Sequence, residues 1–252
     1  MIRFALAFGL AVIALSSGTA SAVAICGSDG GVPPTPVEAP PLQEILDGLV
    51  VSGPPIAANV PSGFEIFDPS SSSMTAQIVF ALPDKGQNMA FGIYDVDDPS
   101  NRVWLFSTAF TIGSTVTVSF LADGQVSVGG YKSKPFSGID GPFGFFVKTW
   151  ENKQQPVYLF SDSDLNSGET RAKVFQGNDQ TRLELPGLRP GLFLDSQFLI
   201  AWETGLGGAN DGDFNDLIVS VSAITAVPEP GAAALVGLAL GALARMRRAR
   251  RY

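Results

Sequence analysis

The chain has 252 residues, with 24 acidic and 16 basic side chains, a formal net charge of −8, a single cysteine and no histidine. Without histidine, every Ser-His-Asp and Cys-His catalytic scheme is excluded, and the usual zinc ligand is missing. The single Cys26 excludes an intramolecular disulfide, and the negative charge disfavours nucleic acid as a partner.

The first 24 residues have the three parts of a secretory signal peptide. Arg3 gives the positive start, residues 4 to 15 form a short apolar stretch, and small residues follow. Two small-residue triplets offer alternative cleavage sites, which end at Ala22 and at Ala24. Because twelve apolar residues are too few for a stable membrane span, the sequence predicts a removable signal helix and export.

Residues 25 to 63 are rich in proline, which predicts an extended, semi-rigid linker. One local element interrupts it: four apolar residues follow the i, i+3, i+4, i+7 spacing of one helix face. These residues are Leu42, Ile45, Leu46 and Leu49. A helix this short is marginal alone, so we expect it to dock on the following domain or on a partner.

From residue 64 to residue 226 the pattern is almost entirely that of β-strands. Apolar and polar residues alternate in Val116–Phe120 and Leu217–Ala223, and turn residues separate the runs. Six further strands are predicted at Thr75–Leu82, Met89–Tyr94, Val103–Phe110, Phe143–Trp150, Val157–Phe160 and Gln197–Glu203. With no long helical periodicity, the sequence predicts an all-β, antiparallel β-sandwich with a jelly-roll-like arrangement.

An acidic loop between the last two of these strands is the strongest candidate site. Glu203 ends one strand, a glycine-rich turn follows, and oxygen-bearing side chains crowd residues 210 to 216. Such hard oxygen ligands suit Ca²⁺, which binds six to eight of them. The predicted ligands are Glu203, Asn210, Asp211, Asp213, Asn215 and Asp216. The loop is not an EF-hand, and the alternative is an ordinary turn, in which Asp and Asn are common.

A second acidic segment repeats the Asp-x-Asp-x-Asn spacing at Asp162, Asp164 and Asn166. Alternate side chains of an extended segment face one way, so Asp162 and Asp164 are candidate ligands of the same metal site or of a second one. A solvated turn is an equal alternative. A third group, Asp95, Asp97 and Asp98, precedes Pro99 and is typical of a turn.

Glycoside hydrolysis and sugar binding are the two alternatives to this metal site. A glycosidase needs two carboxyl groups roughly 5 to 10 Å apart in a cleft, whereas the acids here cluster in turns with Gly and Asn. We therefore expect no catalytic residues.

Aromatic side chains are the usual platforms for sugars, although strand positions favour burial in the core. The candidates are Trp104, Tyr131, Trp150, Tyr158 and Trp202.

The C-terminal 26 residues combine Val227-Pro228-Glu229-Pro230, an apolar run over residues 231 to 244, and five arginines. As a helix the run spans about 21 Å, less than the ~30 Å of a bilayer core, which predicts a short transmembrane helix that holds only transiently. Arginine keeps the extreme end on the cytoplasmic side.

This tail resembles the PEP-CTERM sorting signal of exopolysaccharide-producing bacteria. The resemblance implies that an exosortase recognises the tail, removes it and passes the protein to the outer surface or beyond. The matching residues are Pro228, Glu229 and Pro230, with Arg245, Arg247 and Arg248 in the basic end. A permanent anchor that is never cut is the alternative.

The central region resembles domain of unknown function 4114. The matching segments are Phe143-Gly144-Phe145, residues 158 to 166 and residues 202 to 216. That resemblance implies a bacterial extracellular protein, often associated with calcium-dependent modules. The chain departs from the family at Thr204, where an acidic residue is more usual, so one carboxylate is lost after Glu203.

Together, these features predict a secreted surface or extracellular-matrix protein, of the kind that builds a biofilm, with structural Ca²⁺ and no enzymatic activity. Its expected partners are the exosortase and the secretion machinery, with transient inner-membrane anchoring, and exopolysaccharide is a further candidate. The alternatives are a carbohydrate-binding module that tethers to exopolysaccharide and a polysaccharide-active enzyme.

Overall fold

A computed structural model of the protein describes residues 40–82, 89–107, 111–129, 131–132, 141–151, 155–207 and 210–227. Within these residues the chain forms one α-helix, one short 3₁₀ turn and sixteen strands. The elements are α1 Leu42–Leu49, β1 Val50–Ser52, β2 Ile66–Pro69, β3 Ser73–Ala81, β4 Ala90–Asp95, β5 Arg102–Phe106, β6 Thr115–Phe120, β7 Val126–Val128, β8 Tyr131–Lys132, β9 Phe143–Glu151, β10 Gln155–Phe160, the 3₁₀ turn Asp164–Asn166, β11 Ala172–Gln176, β12 Arg182–Leu183, β13 Gly191–Leu192, β14 Gln197–Trp202, β15 Leu217–Ser222 and β16 Ile224–Ala226.

Two antiparallel sheets pack face to face. One has the strand order β16-β2-β9-β4-β5, with β10 also paired to β9, and the other has the order β11-β14-β15-β3-β6-β7-β8. Alternate residues of both sheets meet in one core. Aromatic rings join the layers: Phe67 and Phe198 are 5.3 Å apart between ring centroids, and Phe91 and Trp202 are 6.1 Å apart. The predicted antiparallel β-sandwich is confirmed.

The connections are jelly-roll-like, because the chain crosses repeatedly between the sheets and then returns beside its own start. β2 lies in the six-stranded sheet and β3 in the seven-stranded one. Near the end of the described chain, β15 pairs with β3 and β16 pairs with β2. The strands that open and close the sandwich are therefore neighbours in both layers.

The second face of the seven-stranded sheet is covered by α1 and by a small sheet of order β1-β12-β13. Leu42, Leu46 and Leu49 of the helix are buried and belong to the same apolar cluster as Leu199 and Ile218 of the sheet. The helix expected from the i, i+3, i+4, i+7 spacing is present. It packs on the sheet that follows it in the chain.

One edge strand of the seven-stranded sheet is β11, and the segment before β2 lies against it. The Ser62 amide donates a hydrogen bond to the Val174 carbonyl (2.6 Å), and the Ser62 hydroxyl accepts one from the Gln176 amide (2.9 Å). These two bonds continue the ladder for one residue beyond β11.

Each of the eight predicted strands has a counterpart, but β5 ends at Phe106 and residues 108–110 of that prediction lie outside the described residues. The predicted signal helix and the predicted C-terminal helix lie outside the described residues. Within the described residues, no helix has the length and apolar character needed to cross a membrane.

Candidate metal centre

The acidic loop connects β14 to β15, which are neighbouring antiparallel strands. Backbone hydrogen bonds close its base: the Glu203 amide donates to the Arg171 carbonyl (3.0 Å) and the Asp216 amide donates to the Trp202 carbonyl (3.3 Å). By strand alternation, Trp202 points into the sandwich core and Glu203 points to the opposite face. The loop therefore starts with an acid on the α1 side of the sheet.

Three carboxylates of this loop converge. Glu203, Asp211 and Asp213 each offer one oxygen, and these oxygens all lie within 4.8 Å of one another. Glu203 is 1 % exposed, Asp213 is half-buried and Asp211 is exposed. Among the described residues, this is the group of three acids with such spacing. Since Ca²⁺–oxygen distances are roughly 2.3–2.6 Å, the spacing lets one ion contact all three carboxylates. The group can hold a metal ion.

Backbone amides hold the carboxylates in place. The two oxygens of Glu203 accept hydrogen bonds from the Gly205 amide (2.8 Å) and the Gly212 amide (3.0 Å). Asp213 accepts one from the Asn215 amide (3.2 Å), in the manner of an Asx turn. Each carboxylate oxygen has a second lone pair, so these bonds leave acceptor capacity for an ion.

Phe214 sets the direction of the loop. It has a left-handed backbone with φ 59°, which is uncommon for a residue with a side chain. Its ring is buried in the apolar cluster beneath α1, and the Lys173 ammonium lies 4.2 Å from the ring centroid. This burial offsets the strain of the backbone. The turn sends Asp213 towards Glu203 and leaves Asn215 on the side of Pro40.

The electrostatics of the cluster favour the uptake of a positive charge. Burial raises the pKa of Glu203 to about 7, and the negative charges of Asp216 and Asp211 add to the effect. Burial also raises the pKa of Asp213, with a contribution from Asp211. The pKa of Asp211 is lowered, because hydrogen bonds from the Glu203 carboxyl group and the Asp213 backbone outweigh its slight desolvation.

No lysine or arginine among the described residues forms an ion pair with the three acids. Arg171 lies beside the loop, but its guanidinium donates to the Gly205 carbonyl (2.8 Å) and to Glu169 (2.5 Å). Within the described residues, the negative charge of the cluster is thus left to a proton or to a cation from solution.

Two of the other ligands predicted in the loop, Asp216 and Asn215, form hydrogen bonds with its scaffold. One Asp216 oxygen accepts hydrogen bonds from the Thr204 amide (2.6 Å) and hydroxyl (2.8 Å), which ties the two ends of the loop together. The Asn215 side-chain amide donates to the Pro40 carbonyl (3.0 Å). Asn210 is exposed, and its backbone amide donates to the Gly207 carbonyl. Sequence reasoning missed the roles of Thr204 and Pro40.

The second acidic segment forms a separate turn. Asp162 accepts a hydrogen bond from the Asp164 amide (2.9 Å), and the Asn166 side chain bonds both the amide and the carbonyl of Phe160. Neither Asp162 nor Asp164 belongs to the converging group around Glu203. The segment between Asp95 and Asn101 is likewise a turn between β4 and β5.

Comparison with known proteins gives no match to a protein-family model, to a curated protein or to a solved structure. The resemblances to the PEP-CTERM signal and to domain of unknown function 4114 therefore rest on their motif residues. The residues predicted for sorting and for signal cleavage lie outside the described part of the chain: Ala22, Ala24, Pro228, Glu229, Pro230, Arg245, Arg247 and Arg248.

Proposed function

We propose that the chain is an exported surface or matrix protein whose β-sandwich is stabilised by Ca²⁺ held between Glu203, Asp211 and Asp213. The observation that carries the proposal is the convergence of three carboxylates, one of them buried, with no ion-pairing cation among the described residues. The sorting-signal motif at residues 228 to 230 and the signal-peptide pattern supply the expectation of export.

The donor set favours calcium over other common ions. All three side chains offer oxygen, whereas structural zinc sites need cysteine or histidine, and this chain has no histidine. Mg²⁺ needs a near-ideal octahedron at about 2.0–2.1 Å and keeps several waters. A loop that is exposed at Asp211 and buried at Glu203 suits the larger ion, because Ca²⁺ tolerates irregular geometry and completes its shell with carbonyls and water.

The ion would act on folding rather than on a reaction. It binds only where the β14–β15 loop is formed, so it stabilises the folded state by mass action. Extracellular calcium modules bind with Kd of about 10⁻⁴ to 10⁻³ M. The folded domain is therefore expected to be more stable where calcium is abundant than in calcium-poor compartments.

The test is thermal unfolding of the full chain in EDTA and then in Ca²⁺. With free Ca²⁺ in tenfold excess over Kd, we expect a stabilisation of about 1.4 kcal/mol, or about 3 to 6 °C in Tm. Asp213→Ala should abolish this shift. An unchanged Tm in the unaltered protein would remove the calcium site from the proposal.

Asp123→Ala is the matched control. Asp123 also forms an Asx turn, accepting a hydrogen bond from the Gln125 amide (3.1 Å), but it lies outside the converging group. This variant should lose the turn bond and keep the full calcium response. If it lost the response as Asp213→Ala does, the effect would come from general turn destabilisation and not from ion ligation.

A further inference from the structure

The outer face of the six-stranded sheet differs from the other faces of the sandwich. Its buried residues are Tyr94, Phe146 and Phe160, which form a cluster separate from the two larger ones. The equivalent face of the seven-stranded sheet lies under α1 and the small sheet. Among the described residues, no helix or further sheet contributes to the cluster on the six-stranded side.

Two glycines within the strands make the floor of this face. Gly92 lies opposite both Trp104 and Phe146, and a Cβ atom there would stand 2.7 Å from the Phe146 ring. Gly144 lies opposite Tyr94, and a Cβ atom there would stand 2.3 Å from the Tyr94 ring. Glycine is costly within a strand and often marks close packing. Here it lets two aromatic rings lie directly against the backbone.

Above this floor lies a second layer of aromatic side chains that reaches solvent. Trp104, on the edge strand β5, is 39 % exposed and meets Phe146 edge-on at 4.9 Å between centroids. Tyr158 and Trp150 are half-buried on the neighbouring strands β10 and β9. Three of the five aromatic residues considered for sugar binding thus share one face, whereas Trp202 is buried in the core.

Two cations are held on these rings. The Arg102 guanidinium lies 3.9 Å from the Tyr158 centroid, and the Lys148 ammonium lies 4.3 Å from the Trp150 centroid and 5.7 Å from that of Trp104. Neither cation forms an ion pair with an acid of the described chain, and Arg102 spends its Nε donor on the Pro99 carbonyl (2.6 Å). Two cations that form no ion pair within the described residues, on a sheet face that no described helix or sheet covers, are complementary to an anionic partner.

We propose that this aromatic–cationic face, formed by Arg102, Trp104, Lys148, Trp150 and Tyr158, binds an acidic polysaccharide. The C–H face of a pyranose ring packs on the exposed indole of Trp104, since aromatic faces carry partial negative charge. A uronate carboxylate on the same chain accepts hydrogen bonds from Arg102 and Lys148.

A uronate polymer fits this face better than other polyanions do. Duplex DNA carries one charge per roughly 1.7 Å, and an anionic membrane presents a continuous negative surface, so an acidic protein with two cations is repelled by both. A polysaccharide with one carboxylate every one or two rings alternates charge with apolar sugar faces, as this surface alternates cations with aromatic rings. The inference deepens the proposed matrix role by naming the matrix component, and it does not depend on the calcium site.

The experiment is calorimetric titration of the full chain, at fixed Ca²⁺, with an octasaccharide of alternating glucuronate and N-acetylglucosamine. The matched ligand is the same octasaccharide with its carboxyl groups reduced to alcohols, and a polyglutamate peptide tests for a mere polyanion. We expect the acidic sugar to bind, with an affinity that falls as salt rises, and the reduced sugar and the peptide to bind at least about tenfold more weakly.

Variants assign the binding to the face. Trp104→Ala should weaken binding at least about tenfold, and Trp104→Phe should recover part of that loss. Lys148→Gln and Arg102→Gln should each weaken binding and flatten its salt dependence. The control is Lys173→Gln, because Lys173 also rests on an aromatic ring (Phe214) but belongs to the other sheet. It should bind the acidic sugar as the unaltered protein does.

Several results would overturn the inference: no binding of the acidic sugar, equal binding of its reduced form or of polyglutamate, or full affinity in Trp104→Ala and Lys148→Gln. If Trp104→Ala does not fold, as judged by its Tm, the two glutamine variants decide the matter. The calcium shift in Tm should persist in Lys148→Gln. A failure of sugar binding is thereby separated from a failure of the calcium proposal.

Discussion

Glu203 is the side chain of the acidic loop in which burial and charge repulsion oppose ionisation most directly. It is buried, it accepts two backbone hydrogen bonds, and two further acids lie within ion-ligating distance of it. The amide donors favour the ionised form, whereas burial, together with the neighbouring acids, opposes it more strongly and raises the pKa of Glu203 to about 7. Glu203 therefore holds a proton, or a cation takes its place.

Substitution of Glu203 by Gln separates these two states. The pKa of Glu203 is 4.5 in an ordinary environment and about 7 in the fold, so without calcium the folded state binds more protons between these values. The stability of the unaltered protein in EDTA should then fall relative to Glu203→Gln as pH rises from 4.5 through 7, by ~3 kcal/mol at most. Urea denaturation at pH 5 and pH 8 measures the difference.

In Ca²⁺ the same pair of proteins should behave in the opposite sense. The ion stabilises the ionised carboxylate, so the unaltered protein gains stability at pH 8 and Glu203→Gln does not. Parallel pH profiles in EDTA, together with an equal calcium response in both proteins, would contradict the assignment of Glu203 as a ligand.

Among the elements, β9 carries a glycine, Gly144, directly under the ring of Tyr94. A Cβ atom at Gly144 would meet the Cε1, Cζ and hydroxyl oxygen of Tyr94 at 2.3 Å, and both residues are fully packed. The ring has no free space to retreat into, since Phe160 meets it edge-on at 5.0 Å.

Gly144→Ala should therefore destabilise the sandwich, by about 1 to 3 kcal/mol from overpacking. The cause is tested by a double-mutant cycle with Tyr94→Ala, which removes the ring. In that background the added methyl group should cost much less, giving a coupling energy of at least about 1 kcal/mol in urea denaturation. Equal costs in both backgrounds would place the effect in the strand backbone instead.

The elements that could be predicted from the sequence are those with a clear internal period. The alternation in Val116–Phe120 and in Leu217–Ala223, and the helical spacing around Leu46, can each be recognised within the segment itself, without knowing which strands lie beside it. Strands such as β2 and β11 were not predicted, because a short segment with a mixed apolar and polar pattern forms a strand only when neighbouring strands pair with it. Lys173, for example, is partly buried in β11, and its ammonium lies over the ring of Phe214.

The candidate site was predictable to the level of the loop but not of the ligand set. The crowding of Asp and Asn between two strands marked the segment. The division into converging acids and scaffold residues depends on Thr204, on the distant Pro40 and on the left-handed backbone of Phe214, none of which has a sequence signal of its own. The shared face of Trp104, Trp150 and Tyr158 likewise depends on the register of β5, β9 and β10.

At the scale of the whole molecule, the acidic loop is connected to the helical layer. The Asn215 side chain donates to the Pro40 carbonyl at the start of α1, and Phe214 packs in the same apolar cluster as Leu46. An ion that orders this loop is therefore expected to stabilise the packing of α1 as well. The six-stranded sheet contributes none of these residues.

Hydrogen exchange should reveal this unequal coupling. Adding Ca²⁺ to the full chain should slow amide exchange in α1 and at the start of β15 several-fold, because local opening there becomes more costly, and leave β4 and β9 nearly unchanged. Asn215→Ala should retain protection in β15 and lose most of it in α1. Mass spectrometry of peptides from both regions provides the comparison. Uniform protection across both sheets would show that calcium acts only on global stability.

Ser62, which lies beside β11, limits the pairing of that strand edge with other chains. The unpaired amides and carbonyls of an uncovered edge strand can pair with another chain, and such pairing leads to aggregation at high protein concentration. Ser62 occupies the Val174 carbonyl and the Gln176 amide, and the preceding Pro61 has no N–H to offer an incoming strand. At high concentration, copies of this protein are thus expected to remain separate folded units and not to join through β11 into continuous fibrils.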